Sequence, residues 1–414
     1  MRDVDVLIVG AGLVGSSLAM HVARLQPGRS VRVVDLDLAG TLSSSELNAG
    51  GVRVTWNHPL NAALSRMSID YYETVAGEIG FLQRGYFWMH DKAHWGAARD
   101  SLQKNAALKG AAIDYLSPAE ITQHFPFFDK TSDLGGATFS HKDGLLNANL
   151  LKSHYRKQAK AAGAVFQDRT WVHAARGAHS GPVEVKAWVF PAEMSEDDIR
   201  TELTARNEAE GDGLAHTLGA REETLRAKVL VNCSGPWARR FASLMGLECP
   251  CFPLRRQVSL FSCREVDLRQ YGMFVDSSGV YFHPEGNDIL GGFATPEETP
   301  GYNLNYDGEE FFNERIWAAL FERSTKFENL KHLTGWAGLY EVSPDKSAVV
   351  GRVAPFDQVY EAHSFSGRGA MQSYAAGLAL AELIAKGRFE TLDLTGMDGG
   401  RFARGESVDE GLLI

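Results

Sequence analysis

The chain has 414 residues, among them 42 Gly, 14 Pro and 4 Cys, and its formal net charge is −10. The length predicts more than one structural unit, and the hydrophobic and charged fractions, 44% and 23%, exclude a disordered or collagen-like chain. The acidic balance argues against a nucleic-acid partner, and no run of 18 apolar residues predicts a membrane span. Average usage would give about 29 glycines, so the chain has roughly 13 more than average, and we ask which sites require them.

The N-terminal residues predict a dinucleotide-binding unit. A strand-like apolar run over 4–9 leads into Gly10, Gly12 and Gly15, and a helix-like run and a second strand-like run follow. Gly10 permits a tight turn, Gly12 lets a pyrophosphate approach the backbone, and Gly15 lets the helix pack closely on the strand. Asp35 follows about 20 residues later, where a carboxylate accepts hydrogen bonds from a ribose diol and disfavours NADP. This unit alone leaves NAD and FAD open.

The elements after Asp35 mix helix-like and strand-like segments. The loop over 41–53 holds small hydroxyl residues, an Asn and two glycines, which suit contact with a polar ligand. Helices are predicted over 59–79, 148–162 and 371–386, and strands over 165–172, 183–190 and 228–233. The stretch 254–293 alternates as strands do, and 308–331 is acidic and helix-like.

One segment, 193–226, holds much of the negative charge. Ser195 precedes three acidic residues, which is typical of a helix N-terminus, and Ile199 and Leu203 would face inward. We interpret this segment as a solvated insertion between two strands. The alternative is a lid or a docking element for a protein partner.

The cysteines and the N-terminus bear on compartment and metal binding. No secretory signal is visible at the start of the chain. Cys233, Cys249, Cys251 and Cys263 form no CxxC pair and no metal-ligand spacing. We therefore expect a cytoplasmic protein with reduced thiols and no metal site.

Several segments together resemble one family over nearly the whole chain. They are the N-terminal glycine motif with Asp35, the loop ending at Arg53, Asp143-Gly144, and residues 229–238, 335–339, 343–345 and 365–369. In this combination the chain resembles the FAD-dependent oxidoreductases related to D-amino acid oxidase, glycine oxidase and monomeric sarcosine oxidase. The resemblance implies an α/β (α+β two-domain) fold, with a glutathione-reductase-like Rossmann FAD-binding domain and an interleaved, mainly antiparallel β-sheet substrate domain. The FAD-binding domain would comprise 1–80, 141–245 and 335–400, and the substrate-binding domain 81–140 and 246–334.

The resemblance also implies FAD as the cofactor. Gly338 stands where sarcosine oxidases carry a flavin-linked Cys, so we expect the FAD to be noncovalent. The residues implied to bind it are Gly10, Gly12, Leu13, Val14, Gly15, Asp35, Leu36, Ser44, Ser45, Asn48, Ala49, Gly50, Gly51, Val172, Ser234, Gly235, Gly338, Leu339, Ser366, Gly367, Arg368, Gly369, Ala370 and Met371.

The implied substrate residues combine matches and departures. Arg53 matches a carboxylate-binding Arg of the family, and a planar guanidinium suits two carboxylate oxygens. Tyr340 replaces a second such Arg, and it would contact the substrate or cover the flavin ring. Arg368 replaces a loop His and would stabilise reduced flavin. Tyr281 and His283 are alternate residues of one predicted strand and would share a face.

The reaction implied is oxidation of an amino acid or secondary (N-alkyl) amine by hydride transfer to flavin N5, followed by hydrolysis of the imine. The Lys that helps oxygen react in sarcosine oxidase is not matched near Ile289. The electron acceptor is therefore either O2 or a quinone or protein. Two alternatives stay open, namely a 2-hydroxy-acid dehydrogenase on the same fold and a flavoprotein that acts as an assembly or interaction module.

Overall fold

The computed structural model describes residues 1–208 and 219–411. Two eight-stranded sheets organise this part of the chain. The first sheet takes its strands from 2–34, 165–232 and 349–363, and the second from 86–140, 252–293 and 331–342. The chain therefore passes between the two sheets more than once.

The first sheet is built around Arg2–Val9, which runs parallel to Val31–Val34 on one side and to Arg221–Asn232 on the other. Leu7 and Ile8 point to opposite faces and are both fully buried, as a parallel strand covered on both faces requires. The path of the sheet is Val349–Arg352, Val359–His363, Arg221–Asn232, Arg2–Val9, Val31–Val34 and Val165–Gln167, with Val183–Val189 and Thr170–Arg176 attached beside Arg221–Asn232.

Helices cover the first sheet. Leu13–Leu25 follows the first strand directly and packs on both Ala148–Ala161 and Gly369–Lys386. The other helices are Pro59–Thr74, Ala76–Ile79, Trp95–Lys104, Pro118–His124, Glu196–Glu208, Ala238–Leu244, Gly308–Phe311 and Ala318–Arg323, with a π-helical turn at Phe312–Trp317. Across 1–208 and 219–411, no helix combines the length and the apolar character needed to cross a membrane.

The second sheet is antiparallel apart from one parallel pair, Met273–Val275 with Tyr86–Asp91. Its order is Lys331–Val342, Phe252–Ser262, Asp288–Phe293, Tyr281–Glu285, Met273–Val275, Tyr86–Asp91, Leu134–Ser140 and Ile113–Leu116. One face packs on a buried aromatic cluster, in which the Phe87 and Phe125 ring centroids are 4.5 Å apart. The predicted fold class, a Rossmann-like unit with a mainly antiparallel second sheet, is confirmed.

Several predicted boundaries differ from the structure. The predicted FAD-binding segment 335–400 begins inside the second sheet, because Lys331–Val342 pairs along Phe252–Ser262. The predicted insertion 193–226 ends too late, because its last residues belong to the strand Arg221–Asn232. Its residues 209–218 lie outside the described ranges.

Three predicted elements are interrupted. The helix over 59–79 breaks at Val75, and the strand over 165–172 divides at Arg169, whose φ is 53°. The acidic segment 308–331 forms short helical turns rather than one helix.

Candidate active site

A cavity of about 920 Å³ extends from the end of the first strand to the aromatic residues of the second sheet. Most of the residues predicted to bind the cofactor line it, although they come from segments far apart in the chain. Two do not, namely Gly15 and Gly338. A Cβ on Gly15 would lie 2.0 Å from the Gly10 carbonyl oxygen, so Gly15 allows the helix to pack closely on the strand. Gly338 lies against Leu47.

The glycine turn forms one end of the cavity. Gly10 has a φ of +100°, and a Cβ there would lie 2.2 Å from the carbonyl oxygen of Cys233, so this position requires glycine. Gly12 immediately precedes the helix Leu13–Leu25, whose first backbone N–H groups lie at the cavity. The N–H of Leu13 donates to Ser45 Oγ at 3.0 Å. A helix N-terminus in this setting favours an anionic group such as a pyrophosphate.

Asp35 lines the same end of the cavity. Its carboxylate accepts the N–H of Ala11 at 2.6 Å and the N–H of Asp37 at 3.0 Å, which fixes its orientation. Burial raises the pKa of Asp35, and Arg156, whose guanidinium donates to the Ala11 carbonyl oxygen, acts in the opposite direction. The sequence analysis did not identify Arg156, because an Arg in the middle of an amphipathic helix carries no motif.

The acidic insertion helix Glu196–Glu208 contributes one residue to the wall at this end of the cavity. Ser195 caps it, since its hydroxyl accepts the N–H of Asp198 at 3.1 Å, as predicted. Ile199 and Leu203 are buried in one cluster with Leu36, and Leu203 also lines the cavity. The helix is therefore part of the cavity wall as well as a charged surface.

The middle of the cavity is formed by the loop over 41–53 and the segment 364–371. Ser44 Oγ donates to the carbonyl oxygen of Leu339, which ties the loop to the second sheet. Gly367 has a φ of +88°, and a Cβ there would lie 2.4 Å from Tyr340 Cε2. The helix Gly369–Lys386 begins at the cavity wall, so its N-terminal N–H groups favour negative charge there.

Two buried guanidinium groups mark the other end of the cavity. Arg53 and Arg368 both line it, and each is 1% exposed. Their Cζ atoms lie 3.5 Å and 4.8 Å from the centroid of the same Trp56 ring. Burial lowers the pKa of each to about 10, so both stay charged at neutral pH.

The Arg368 guanidinium has no hydrogen-bond partner for Nε, Nη1 or Nη2 among the described residues. A buried cation without hydrogen bonds costs roughly several kcal/mol unless another group compensates for its lost hydration. The arrangement therefore suits an anionic group bound in the cavity beside Arg368.

The sequence profile described as FAD dependent oxidoreductase matches residues 5–383 of the chain. The chain belongs to this family. The bovine (Bos taurus) FAD-dependent oxidoreductase domain-containing protein 1 is 27% identical over 445 residues, which cover 99% of this chain and 87% of that protein. The glycine oxidase of Pseudomonas aeruginosa is 23% identical, over 94% of this chain and 96% of its own.

Solved structures share the fold of this FAD-dependent oxidoreductase. The L-proline dehydrogenase from P. horikoshii superposes with a TM-score of 0.81 at 22% identity, covering 98% of this chain and 99% of that one. The glycine oxidase from Geobacillus kaustophilus gives a TM-score of 0.75 at 19% identity, with 96% and 98% covered. At these identities, both structural similarities show a shared fold.

The cofactor of this FAD-dependent oxidoreductase is FAD, and the cavity fits it. Gly10 and Gly12 line the cavity without side chains, and the helices that begin at Leu13 and Gly369 have their N-termini at the same space. These residues would hold the pyrophosphate and the flavin respectively.

The predicted tyrosines reach the cavity, whereas the predicted histidine does not. Tyr281 and Tyr340 line it, together with Tyr86, and burial raises the pKa of all three, so their hydroxyls are neutral. His283 is not among the described lining residues. Its Nδ1 lies 2.9 Å from the Pro284 carbonyl oxygen, and burial lowers its pKa to about 4.

The sequence analysis did not identify one cluster at the cavity, to whose wall His363 belongs. Cys249, Cys251 and His363 offer ligand atoms that all lie within 4.8 Å of one another. The expectation of no metal site rested on local cysteine spacing. The fold adds a histidine from a strand more than a hundred residues away, which no spacing rule detects.

Proposed function

We propose that this FAD-dependent oxidoreductase oxidises an amino acid or an N-alkyl amino acid, whose carboxylate is held by Arg368 together with Arg53. The observation that carries the proposal is the buried Arg368 guanidinium, which lines the cavity with its three nitrogens lacking hydrogen bonds to the described residues. Two parallel N–H···O bonds from a guanidinium to a carboxylate would supply the missing partners.

The same end of the cavity suits a neutral amine. The charges of Arg53 and Arg368 disfavour a second cation nearby, which lowers the pKa of a bound ammonium group. Trp56, Tyr86 and Tyr340 line this end with aromatic surface, which limits access of water. The substrate amine would therefore release its proton to solvent as it binds, without a dedicated general base.

Orientation is the remaining contribution of the chain. A carboxylate held at two oxygens fixes the adjacent α-carbon, and the Tyr281 and Tyr340 rings limit the positions open to the side chain. When bound, FAD would supply the acceptor for the hydride that leaves this α-carbon. The resulting imine is then hydrolysed by water.

The names of relatives support an amino acid substrate. They include glycine oxidase of Pseudomonas aeruginosa and human dimethylglycine dehydrogenase, which are 23% and 24% identical to this chain. Both oxidases and dehydrogenases are among them, so the acceptor, O2 or a quinone or protein, needs a separate assay.

The test is anaerobic reduction of the purified flavoprotein by a panel of amino acids, N-methyl amino acids and 2-hydroxy acids. We expect the flavin absorbance to bleach with at least one amine of the panel, and acid denaturation to release the FAD. Bleaching by 2-hydroxy acids alone would contradict the proposal and favour the alternative, since these compounds would use the same carboxylate site. Peroxide formation on admitting air would identify O2 as the acceptor.

A further inference from the structure

A second group of functional side chains lies where the chain leaves the first sheet for the second. Cys249 and Cys251 are in the loop between the helix Ala238–Leu244 and the strand Phe252–Ser262. His363 ends the strand Val359–His363 of the first sheet. One ligand atom from each of the three residues lies within 4.8 Å of the others, and Cys251 and His363 are buried.

The histidine ring is held in one orientation. Its Nε2 lies 3.1 Å from Glu361 Oε2, which accepts the proton on that nitrogen. Because Nε2 faces Glu361, the nitrogen left for the thiols is Nδ1, which lies 2.8 Å from Ser364 Oγ. A carboxylate behind one ring nitrogen is the usual support for a histidine that binds metal through the other.

Glu341 supplies a fourth ligand atom, a carboxylate oxygen. It is 5% exposed, and its Oε2 accepts the N–H of Ser364 at 2.6 Å. Its Oε1 accepts no hydrogen bond from the described residues and lies 3.1 Å from His363 Nδ1. Two ligands of a tetrahedral zinc ion, at bond lengths of about 2.0 to 2.1 Å, are about 3.4 Å apart. The 3.1 Å separation of Glu341 Oε1 and His363 Nδ1 is therefore close to that of two ligands of one cation.

We propose that Cys249, Cys251, His363 Nδ1 and Glu341 Oε1 form a zinc site. Two thiolates with an imidazole and a carboxylate are a ligand set that suits Zn²⁺. Without the metal, the ring nitrogens Nδ1 and Nε2 of His363 face Glu341 Oε1 and Glu361 Oε2, each at 3.1 Å, an arrangement that suits an imidazolium. On binding, Zn–S and Zn–N bonds replace S–H and N–H bonds, so both thiols and the imidazolium each release a proton to solvent.

The location gives the site a structural role. It would join the loop that enters the second sheet to the strand that leads into 364–371, the segment that lines the cavity. Zinc would thereby hold the two sheets together beside the cofactor. This inference stands apart from the choice of substrate.

The test is zinc content of the FAD-loaded full chain, kept reduced, equilibrated with Zn²⁺ and freed of loose metal. Wild type and the control Cys263→Ser should each retain one zinc per chain, because the Cys263 thiol lies elsewhere, near the Lys326 carbonyl oxygen. A Cys249→Ser/Cys251→Ser variant should retain less than about a tenth of that. Bound flavin and the melting temperature establish that each variant is folded.

A milder variant keeps the proposal testable if the double variant fails to fold. Glu361→Gln leaves all four ligands in place and should weaken zinc binding by about 10- to 100-fold, as loss of a supporting carboxylate does. Co²⁺ in place of Zn²⁺ should give thiolate-to-metal absorption in wild type. Zinc-free wild type, equal zinc in the double variant, or a Cys249–Cys251 disulfide in the reduced preparation would overturn the proposal.

Discussion

The two ends of the cavity are built in different ways. At the glycine turn, the backbone defines the site, because Gly10, Gly12 and the first N–H groups of Leu13–Leu25 are consecutive in the chain. At the other end, side chains define it, and Arg53 and Arg368 come from segments more than three hundred residues apart. The sequence can predict a cofactor site made by one local turn. It predicts only part of a substrate site whose residues are brought together by the tertiary structure.

The largest expected effect is at the turn. Gly10→Ala should abolish FAD binding, because the Cβ would collide with the Cys233 backbone and the φ of +100° is strained for alanine. The flavin-to-protein ratio of the purified variant measures this. Gly163→Ala is the matched control, since Gly163 has a φ of +97° and no atom within 4 Å of an added Cβ. Full flavin content in Gly10→Ala would show that the backbone does not define this end.

The next effect concerns the guanidinium end. Arg368→Met should raise KM for a carboxylate substrate by about 100-fold, because a charged, two-point hydrogen bond is lost. The same change should raise the melting temperature of the substrate-free enzyme, since it removes a buried cation without hydrogen bonds. Arg53→Lys, which keeps the charge and loses the fork, should raise KM by at least about tenfold.

Steady-state kinetics and thermal unfolding of these two variants check this pair of expectations. An unchanged KM and a lower melting temperature in Arg368→Met would show that Arg368 stabilises the folded state and does not bind the substrate.

A smaller effect is expected where the insertion helix meets the nucleotide end. Leu203→Ser should weaken FAD binding by about tenfold, because it removes apolar wall beside Leu36 and costs about 2 to 3 kcal/mol of packing. A titration of the flavin-free protein with FAD gives the dissociation constant. Glu196→Gln, at an exposed position of the first helical turn, is the control and should leave it unchanged. Equal FAD dissociation constants in both variants would contradict this and support the interpretation of the helix as a solvated insertion.

The last effect is in the pH dependence of stability and leaves the cavity's binding residues unchanged. Burial raises the pKa of Asp143 to about 7, against an ordinary value of 3.8, with Arg53 among the groups that oppose the shift. The folded state therefore binds an extra proton between about pH 4 and pH 7, and the free energy of unfolding falls as pH rises through that window.

Asp143→Asn keeps an acceptor for the N–H of Val54 and removes this titration. Its free energy of unfolding, relative to wild type, should rise by up to about 3 kcal/mol across the window. Denaturant unfolding at several pH values measures the difference, and parallel pH profiles for the two proteins would contradict it.

The sequence carried the fold and the cofactor further than the substrate site. Gly10, Gly12 and Asp35 could be assigned because strand, turn, helix and acid are close in the chain. Tyr281 and His283 are alternate residues of one strand, as predicted for side chains on the same face. Of the two, Tyr281 alone lines the cavity. Which residues of a strand border a cavity depends on the packing of the whole fold, so the alternation could not predict it. Leu203 was expected to face inward, but that it lines the cavity depends on how the helix Glu196–Glu208 packs on Leu36.

The central claim is that the guanidinium end of the cavity binds the carboxylate of an amine substrate. Anaerobic reduction of the flavin by a reactive amino acid, compared with reduction by its carboxamide, tests it most directly, because the two compounds share the reacting α-carbon and amine. The account predicts that the acid bleaches the flavin at concentrations about 100-fold lower than the amide in wild type, and that Arg368→Met removes this preference. Equal bleaching of the wild-type flavin by acid and amide would contradict it.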